Sequence, residues 1–297
     1  MKHFASICVA GMLGAVALLG PSAATASPAD DTLRVGMAEE ILNLDYNYTT
    51  KREYIILSRL TDETLFDMDP ATNEILPSVA ESYKWVDDKT LDITLRQDVV
   101  FHDGTPLTAD DVVYTYNFVV SEEGEAQNKG IIERWLDHAE KTGEYSVRFY
   151  IKSVYPLVLR DMAERVMLRK NGAYHPNGVL DKDAMADNLI GVGRYKVTNF
   201  EPGPELDLER FAGFFGEKPA IAHIIVRNIP DMGTQQAELM SGGLDWMFKV
   251  PLDVAESMGA TPNAVHLSGP DLRIGFLVLD AHGYTDPDGP LTKVKVR

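Results

Sequence analysis

The chain has 297 residues, 45% of them hydrophobic, 9% aromatic and 25% charged, an ordinary globular composition with room for about two domains. Its 45 Asp and Glu against 28 Lys and Arg give a formal charge of −17 with no basic cluster, which speaks against nucleic acid as a partner, because neutralising phosphate needs a basic face. The same charge repels anionic membrane surfaces.

Residues 1–26 read as a secretory signal peptide. Lys2 supplies a short positive start, Ile7 to Leu19 is an apolar stretch too short to span a bilayer, and Ala24-Thr25-Ala26 is a small-x-small site, so cleavage is expected between Ala26 and Ser27. The expected location is the periplasm or the extracellular space. The single cysteine, Cys8, lies within this segment. A mature chain without thiols has no disulfide framework, no thiolate metal site and no Cys nucleophile.

Thr32 to Met37 alternates and is β-branched at two places, predicting an opening strand. Ala38 to Lys51 reads as a polar loop carrying aromatic side chains, and Glu53 to Leu65 has helical apolar spacing. Residues 67–73 form a turn by their Asp, Pro and Asn content. Ser82 to Val86 and Leu91 to Leu95 predict a hairpin with a four-residue polar loop, and Val99 to His102 an extension of its sheet. Thr108 to Asp111 resembles a capping box opening a helix over Ala109 to Val120, which buries Val112, Val113, Tyr116, Val119 and Val120.

An acidic stretch, Ser121 to Lys141, holds an amphipathic turn around Ile131, Ile132 and Trp135. Ser146 to Ile151 is strand-like, Pro156 to Lys170 helical with a stop at Asn171-Gly172, and Asp183 to Leu189 a short further helix. Three strands are predicted next, at Arg194 to Phe200, Leu206 to Arg210 and His223 to Asn228. A helix over Thr234 to Ser241 ends on Gly242-Gly243, which supply a left-handed cap. Leu244 to Phe248 and Leu272 to Leu279 complete the strands. The class is mixed α and β.

Catalytic patterns are scarce. Gly191-Val192-Gly193 precedes a strand and lacks a third Gly or a following Lys-Ser/Thr, unlike a phosphate loop. His102-Asp103-Gly104 reads as a strand-end turn in preference to half of a catalytic pair. There is no G-x-S-x-G elbow and no H-E-x-x-H helix, and His138, His175, His223, His266 and His282 lack ligand spacing. Residues 286–289 imitate the start of a calcium loop without its later ligands. No metal or cofactor is expected.

What the loops do carry is aromatic and polar side chains: Tyr46, Tyr48, Trp246 and Phe248, with Asn43, Asp45, Arg52 and Arg273. Such residues suit an apolar-aromatic concavity with a few placed polar groups. Asp45, Tyr46, Arg52, Trp246 and Arg273 are the candidate ligand-binding residues. For Trp246 the competing reading is a core residue on a strand, and for Arg273 a charge held in a structural ion pair.

The order of motifs resembles family 5 of the solute-binding proteins, the extracytoplasmic receptors of peptide, nickel and opine ABC importers. The blocks are LPSVAESYKW at 76–85, VFHDGTPLTADDVVY at 100–114, GVGRYKVTNFEPGPELDLER at 191–210 and LMSGGLDW at 239–246. The resemblance implies a periplasmic binding protein fold of type II, cluster C, in which two hinged lobes close on a solute. It further implies a first lobe made of residues 27–65 and 191–279, with an extra α+β subdomain at 66–190. LVLDAHGYTDPDGPLTKVKVR, at 277–297, resembles the crossing into the second lobe, so most of that lobe is expected to be missing from this chain. The functional expectation is a monomeric, non-enzymatic receptor that binds a peptide or similar small solute and delivers it to ABC permease subunits in the inner membrane. The alternatives are a secreted hydrolase of peptides or sugars and a non-transporting sensory or chaperone module on the same fold.

Overall fold

The computed structural model describes residues 31–49, 51–261 and 264–269. The chain divides into two compact units, Met1–Val250 and Pro251–Arg297. In the first, the opening strand forms where alternation predicts it, as β1 (Thr32–Met37). The helix after the polar loop, α1 (Arg52–Thr61), ends four residues before the predicted Leu65, because Asp62 turns extended and the chain enters a short antiparallel pair, β2 (Phe66–Met68) and β3 (Ile75–Pro77). That pair was not foreseen, and it takes Asp67 and Met68 of the predicted 67–73 turn into β2, leaving the turn to residues 69–74.

The hairpin of β4 (Ala80–Asp87) and β5 (Thr90–Leu95) is tighter than the predicted four-residue loop, with only Asp88 and Lys89 between the strands. Val99 to His102 does not extend the sheet; only an isolated bridge from Val100 to Pro106 forms there. The next helix, α2 (Ala109–Val120), starts and stops where the sequence puts it, and the Asp111 carboxylate returns to the Thr108 N–H at 2.7 Å, closing the capping box. A short α3 (Lys129–Ile132) leads into β6 (Leu136–Gly143), a strand the acidic stretch concealed, and β7 (Ser146–Ile151) matches its prediction. The helix predicted over Pro156 to Lys170 is confined to α4 (Val158–Glu164), and residues 166–170 run without helix or strand; Asp183 to Leu189 contains turns instead of a helix.

These elements form a four-stranded antiparallel sheet ordered β4-β5-β7-β6. Strict alternation on its two central strands sends Leu91, Ile93 and Leu95, and Val147, Phe149 and Ile151, to one face, where α2 and α4 with Trp135 and Phe66 close the core. Burying side chains of this size contributes about 1.5–3 kcal/mol each.

A second sheet, ordered β11-β1-β10-β9-β8, is built from β8 (Tyr195–Glu201), β9 (Glu205–Arg210), β10 (His223–Asn228) and β11 (Trp246–Met247), with α5 (Met232–Ser241) connecting β10 to β11. Gly242 takes φ +83° at the end of α5, the left-handed cap expected of it. β11 and β10 flank β1 in parallel, while β9 and β8 continue antiparallel. A separate core, including Val35, Met37, Tyr54, Leu57, Leu206 and Ile224, lies on this sheet. In the second unit the described elements are α6 (Leu252–Gly259), which periodicity had not suggested, and the chain to Gly269.

Candidate functional site

Because β1, β10 and β11 are parallel, their carboxyl ends at Met37, Asn228 and Met247 finish along one edge. Ligands of open α/β sheets sit in the crevice outside such ends, where loops leave the strands and no backbone pairing occupies the space. The segments leaving here are 38–49, 229–231 and 248–250. Asn228 ties two of them together, its Nδ2 donating to the Met37 and Ala38 carbonyls at 3.3 and 3.2 Å.

The Trp246 ring stacks on Phe248 with centroids 5.3 Å apart and planes 7° from parallel, and Trp246 keeps 37% of its surface exposed. Lys249 follows at φ +60°, a left-handed backbone that costs a Lys about 1–2 kcal/mol. This turn brings its Nζ to the Glu53 carboxylate on α1 and to 5.4 Å from the Phe248 ring centroid. Burial alone would raise the Glu53 carboxyl; the hydrogen bonds from Lys249 and the backbone, together with the Lys249 and Lys51 charges, outweigh it and hold the group below its usual range. Leu42 is exposed on the loop after β1, its N–H donating to Tyr54 Oη at 2.7 Å. The edge thus offers a flat aromatic surface beside a charged pair.

Of the sequence candidates, Trp246 lies on this edge and Arg52 is exposed at the first position of α1. Asp45 and Tyr46 are placed in the interior, so neither presents a surface to a solute. The loop they occupy is a 3-10 turn, Tyr46–Tyr48, and not an open array of aromatics. Arg273, the predicted strand at 272–279, the crossing segment at 280–297 and the Ala26–Ser27 cleavage site lie outside the described residues. Lys249 and Glu53 were missed; nothing local in sequence marks a left-handed Lys or its partner 196 positions away.

Asp45 belongs to a buried cluster behind the edge. Its Oδ1 accepts Arg169 Nη2 at 2.8 Å and the Asn47 N–H at 3.0 Å, and its Oδ2 accepts the Tyr174 hydroxyl at 2.6 Å. Arg169 also donates to Asp62, and all three charged side chains are inaccessible to solvent. Burial by itself would lower the Arg169 guanidinium; Asp62 and Asp45 overcome that and hold it well above its ordinary value. Burial beside Asp45 likewise pushes the Tyr174 hydroxyl up, so it stays a donor. The cluster fastens the loop after β1 to the segment that follows α4.

The two motifs weighed for chemistry meet one another instead. His102 donates its backbone N–H to Gly191 at 2.9 Å, and its Nε2 lies 3.0 Å from the Gly193 carbonyl. A carbonyl only accepts, so Nε2 carries the proton and the buried Nδ1 has no partner among the described residues. Burial pushes this imidazole down to about 4. Asp103 is engaged elsewhere: burial would raise it, but the Lys170 ammonium at 2.7 Å and the Thr105 bonds pull it down to about 2. Gly193 donates to Thr61 at 3.0 Å, and a Cβ there would stand 2.4 Å from the Thr61 carbonyl carbon. Both glycines are close approaches to the end of α1. Among the described residues no group of three His, Cys, Asp or Glu is placed to hold a metal, and no helix is long and apolar enough to cross a membrane.

The family model described as "Bacterial extracellular solute-binding proteins, family 5 Middle" matches residues 74–297. The oligopeptide-binding protein AppA of Bacillus subtilis is 29% identical over 222 residues, covering 71% of this chain and 36% of the relative. The dipeptide-binding protein of Escherichia coli is 24% identical over 257 residues, covering 78% and 46%. The solved structure of Bacillus subtilis AppA with a nonapeptide superposes at a TM-score of 0.71 with 25% identity, covering 78% of this chain and 46% of that one. The chain therefore spans about a third to a half of the length of these proteins.

Proposed function

Since this chain belongs to family 5 of the bacterial extracellular solute-binding proteins, we propose that it serves solute capture outside the cytoplasm for an ABC importer, with peptides as the solute class. Its relatives are binding proteins, AppA for oligopeptides and the Escherichia coli protein for dipeptides. In this reading the chain does no chemistry, leaves the cytoplasm through the signal at 1–26, and acts as a monomer that hands its solute to a membrane permease. Residues 27–65 and 191–279 form the main part of the first lobe and 66–190 its extra subdomain. The four-stranded sheet, formed wholly within residues 80–151, supports the separate subdomain, although Phe118, Tyr174, Met185 and Leu189 pack into the core of the other sheet.

The observation that carries the reading is the exposed Trp246–Phe248 stack at the shared carboxyl edge of three parallel strands. A flat ring pair takes a peptide's side chain or backbone plane without bond-specific chemistry, and the Lys249–Glu53 pair holds the stack in place. Trp246 and Arg52 are the sequence candidates that fit a direct contact. Solute affinity in such receptors depends on contacts made only in the closed form.

The test is a titration of tryptophan emission with di- to nonapeptides, followed by mass spectrometry of the recovered peptide. A saturable change that disappears in Trp246→Ala, with the peptide intact, is expected. Cleaved peptide would transfer the chain to the hydrolase alternative, and the absence of any saturable change would overturn peptides as the solute class.

A further inference from the structure

We infer that a groove at the rim of the four-stranded sheet is a docking site for a cationic, apolar segment of a partner protein, separate from the solute edge. The groove encloses about 530 Å³ between the β4–β5 turn and the segment joining β7 to α4. Trp85, from the edge strand β4, forms one wall and Val154 with Pro156 the other. The floor is Val158, fully buried in the core of this sheet, with Tyr155 packed beside it.

Trp85 stands opposite Leu91, on the face that the rest of the sheet buries, yet it is 38% exposed because, among the described residues, β4 has no strand beyond it to carry a cover. Tyr83, two residues earlier on that face, is 46% exposed, and Val154 reaches 66% with Leu157 close behind in sequence. Large side chains clustered at a concave rim mark an interaction surface, whereas the same residues scattered singly would need no account.

The rim's charge selects the occupant. Asp87 and Asp88 line the groove with both side chains exposed, against one ammonium in the same turn, Lys89. The Asp87 side chain is engaged locally, its Oδ1 accepting the Lys89 N–H at 2.8 Å. Lys152, on the other side, already donates to the Glu133 carbonyl at 2.9 Å. A second copy of a chain with formal charge −17 would bring more acid to this acidic rim, and an anionic membrane would be repelled in the same way. A polypeptide segment with Lys or Arg set among aliphatic or aromatic residues satisfies both the walls and the rim. The free edge of β4 beside the groove has backbone groups that an extended segment can use, although bulges at Ala80/Ser82 and Trp85/Asp87 restrict that pairing to a short run.

The experiment uses the full chain carrying Trp246→Phe, which removes the solute-edge indole and leaves Trp85 and the buried Trp135. Three probes are titrated against tryptophan emission: a Lys–Leu alternating decapeptide, its Glu–Leu counterpart and a Lys–Ser decapeptide. The Lys–Leu peptide is expected to shift the emission saturably and the other two not to. Asp87→Asn and Asp88→Asn each weaken it by about two- to fivefold, and raising salt from about 20 to about 300 mM weakens it further. Val154→Lys, at a position 66% exposed, removes an apolar wall and sets a cation against the probe, and it abolishes the response. Equal binding of all three peptides, or affinity unchanged in Asp87→Asn and Val154→Lys, overturns the proposal. So does a concentration-dependent doubling of mass that Val154→Lys prevents, which would assign the groove to a second copy, or retention on phosphatidylglycerol vesicles, which would assign it to lipid. Loss of peptide capture at Trp246 leaves these outcomes untouched, so the two readings fail separately.

Discussion

Arg169 neutralises two carboxylates in the interior of the first unit. Removing the cation while leaving Asp45 and Asp62 in place strands two carboxylates out of water, so Arg169→Met is expected to destabilise by about 3–5 kcal/mol. Adding Asp45→Asn and Asp62→Asn to that variant should recover part of the loss, as read from urea midpoints. His102 makes the pH counterpart. Its imidazole titrates at about 4 in the folded chain and near its ordinary 6.5 when unfolded, so below pH 6.5 the unfolded state binds more protons and stability falls until about pH 4. The size is about 3 kcal/mol across that window. Urea midpoints of His102→Gln, taken between pH 7 and 4.5, should show a flatter decline than the parent. The roles of these residues were not legible in the sequence. Asp45 looked like a loop residue turned to solvent because its partner lies 124 positions away, and no local pattern announces such a pair.

Elements were legible where their own residues specify them. α2 begins with its capping box and has one apolar stripe, and the sequence placed both ends. Asp111→Ala should cost about 1–2 kcal/mol, since that carboxylate serves the Thr108 N–H and, through its other oxygen, the Asn171 N–H. Thermal denaturation followed at 222 nm would measure it. Elements went astray where packing overrode periodicity: α1 stops at Thr61 because Gly191 and Gly193 press against its last turn, and α4 stops at Glu164 so that the chain can carry Arg169 inward. Gly193→Ala tests the first of these. A methyl at 2.4 Å from Thr61 forces backbone to move, at an expected cost of about 1–3 kcal/mol or more in the same assay. The carboxyl edge of the parallel strands was half legible. Trp246 and Phe248 were singled out as aromatics outside helices, but the edge itself exists only because β1 and β11, far apart in sequence, run parallel.

For the whole molecule, the motif order carried the family and the succession of predicted helices and strands the mixed class, while the two-sheet arrangement emerged only with the pairings. The two cores meet through the Asp45–Arg169–Asp62 cluster and the His102–Gly193 contact, and they fall in one compact unit. Calorimetry is therefore expected to record one transition for residues up to Val250, and two in Arg169→Met, with the four-stranded sheet the later to melt; a single transition in the variant would show that packing alone couples the cores. The parallel pairing of β1 with β10 also has a consequence in time. Asn228 reaches Met37 across 191 positions, whereas β4 to β7 all lie within residues 80–151. A nascent chain can complete the local sheet long before the partner of its first strand exists, because closing so long a loop is slow. Pulse-labelled hydrogen exchange should then find β5 and β7 protected early and β1 last. Until then the first strand keeps an open edge, and a slow or interrupted chain is most exposed to aggregation there.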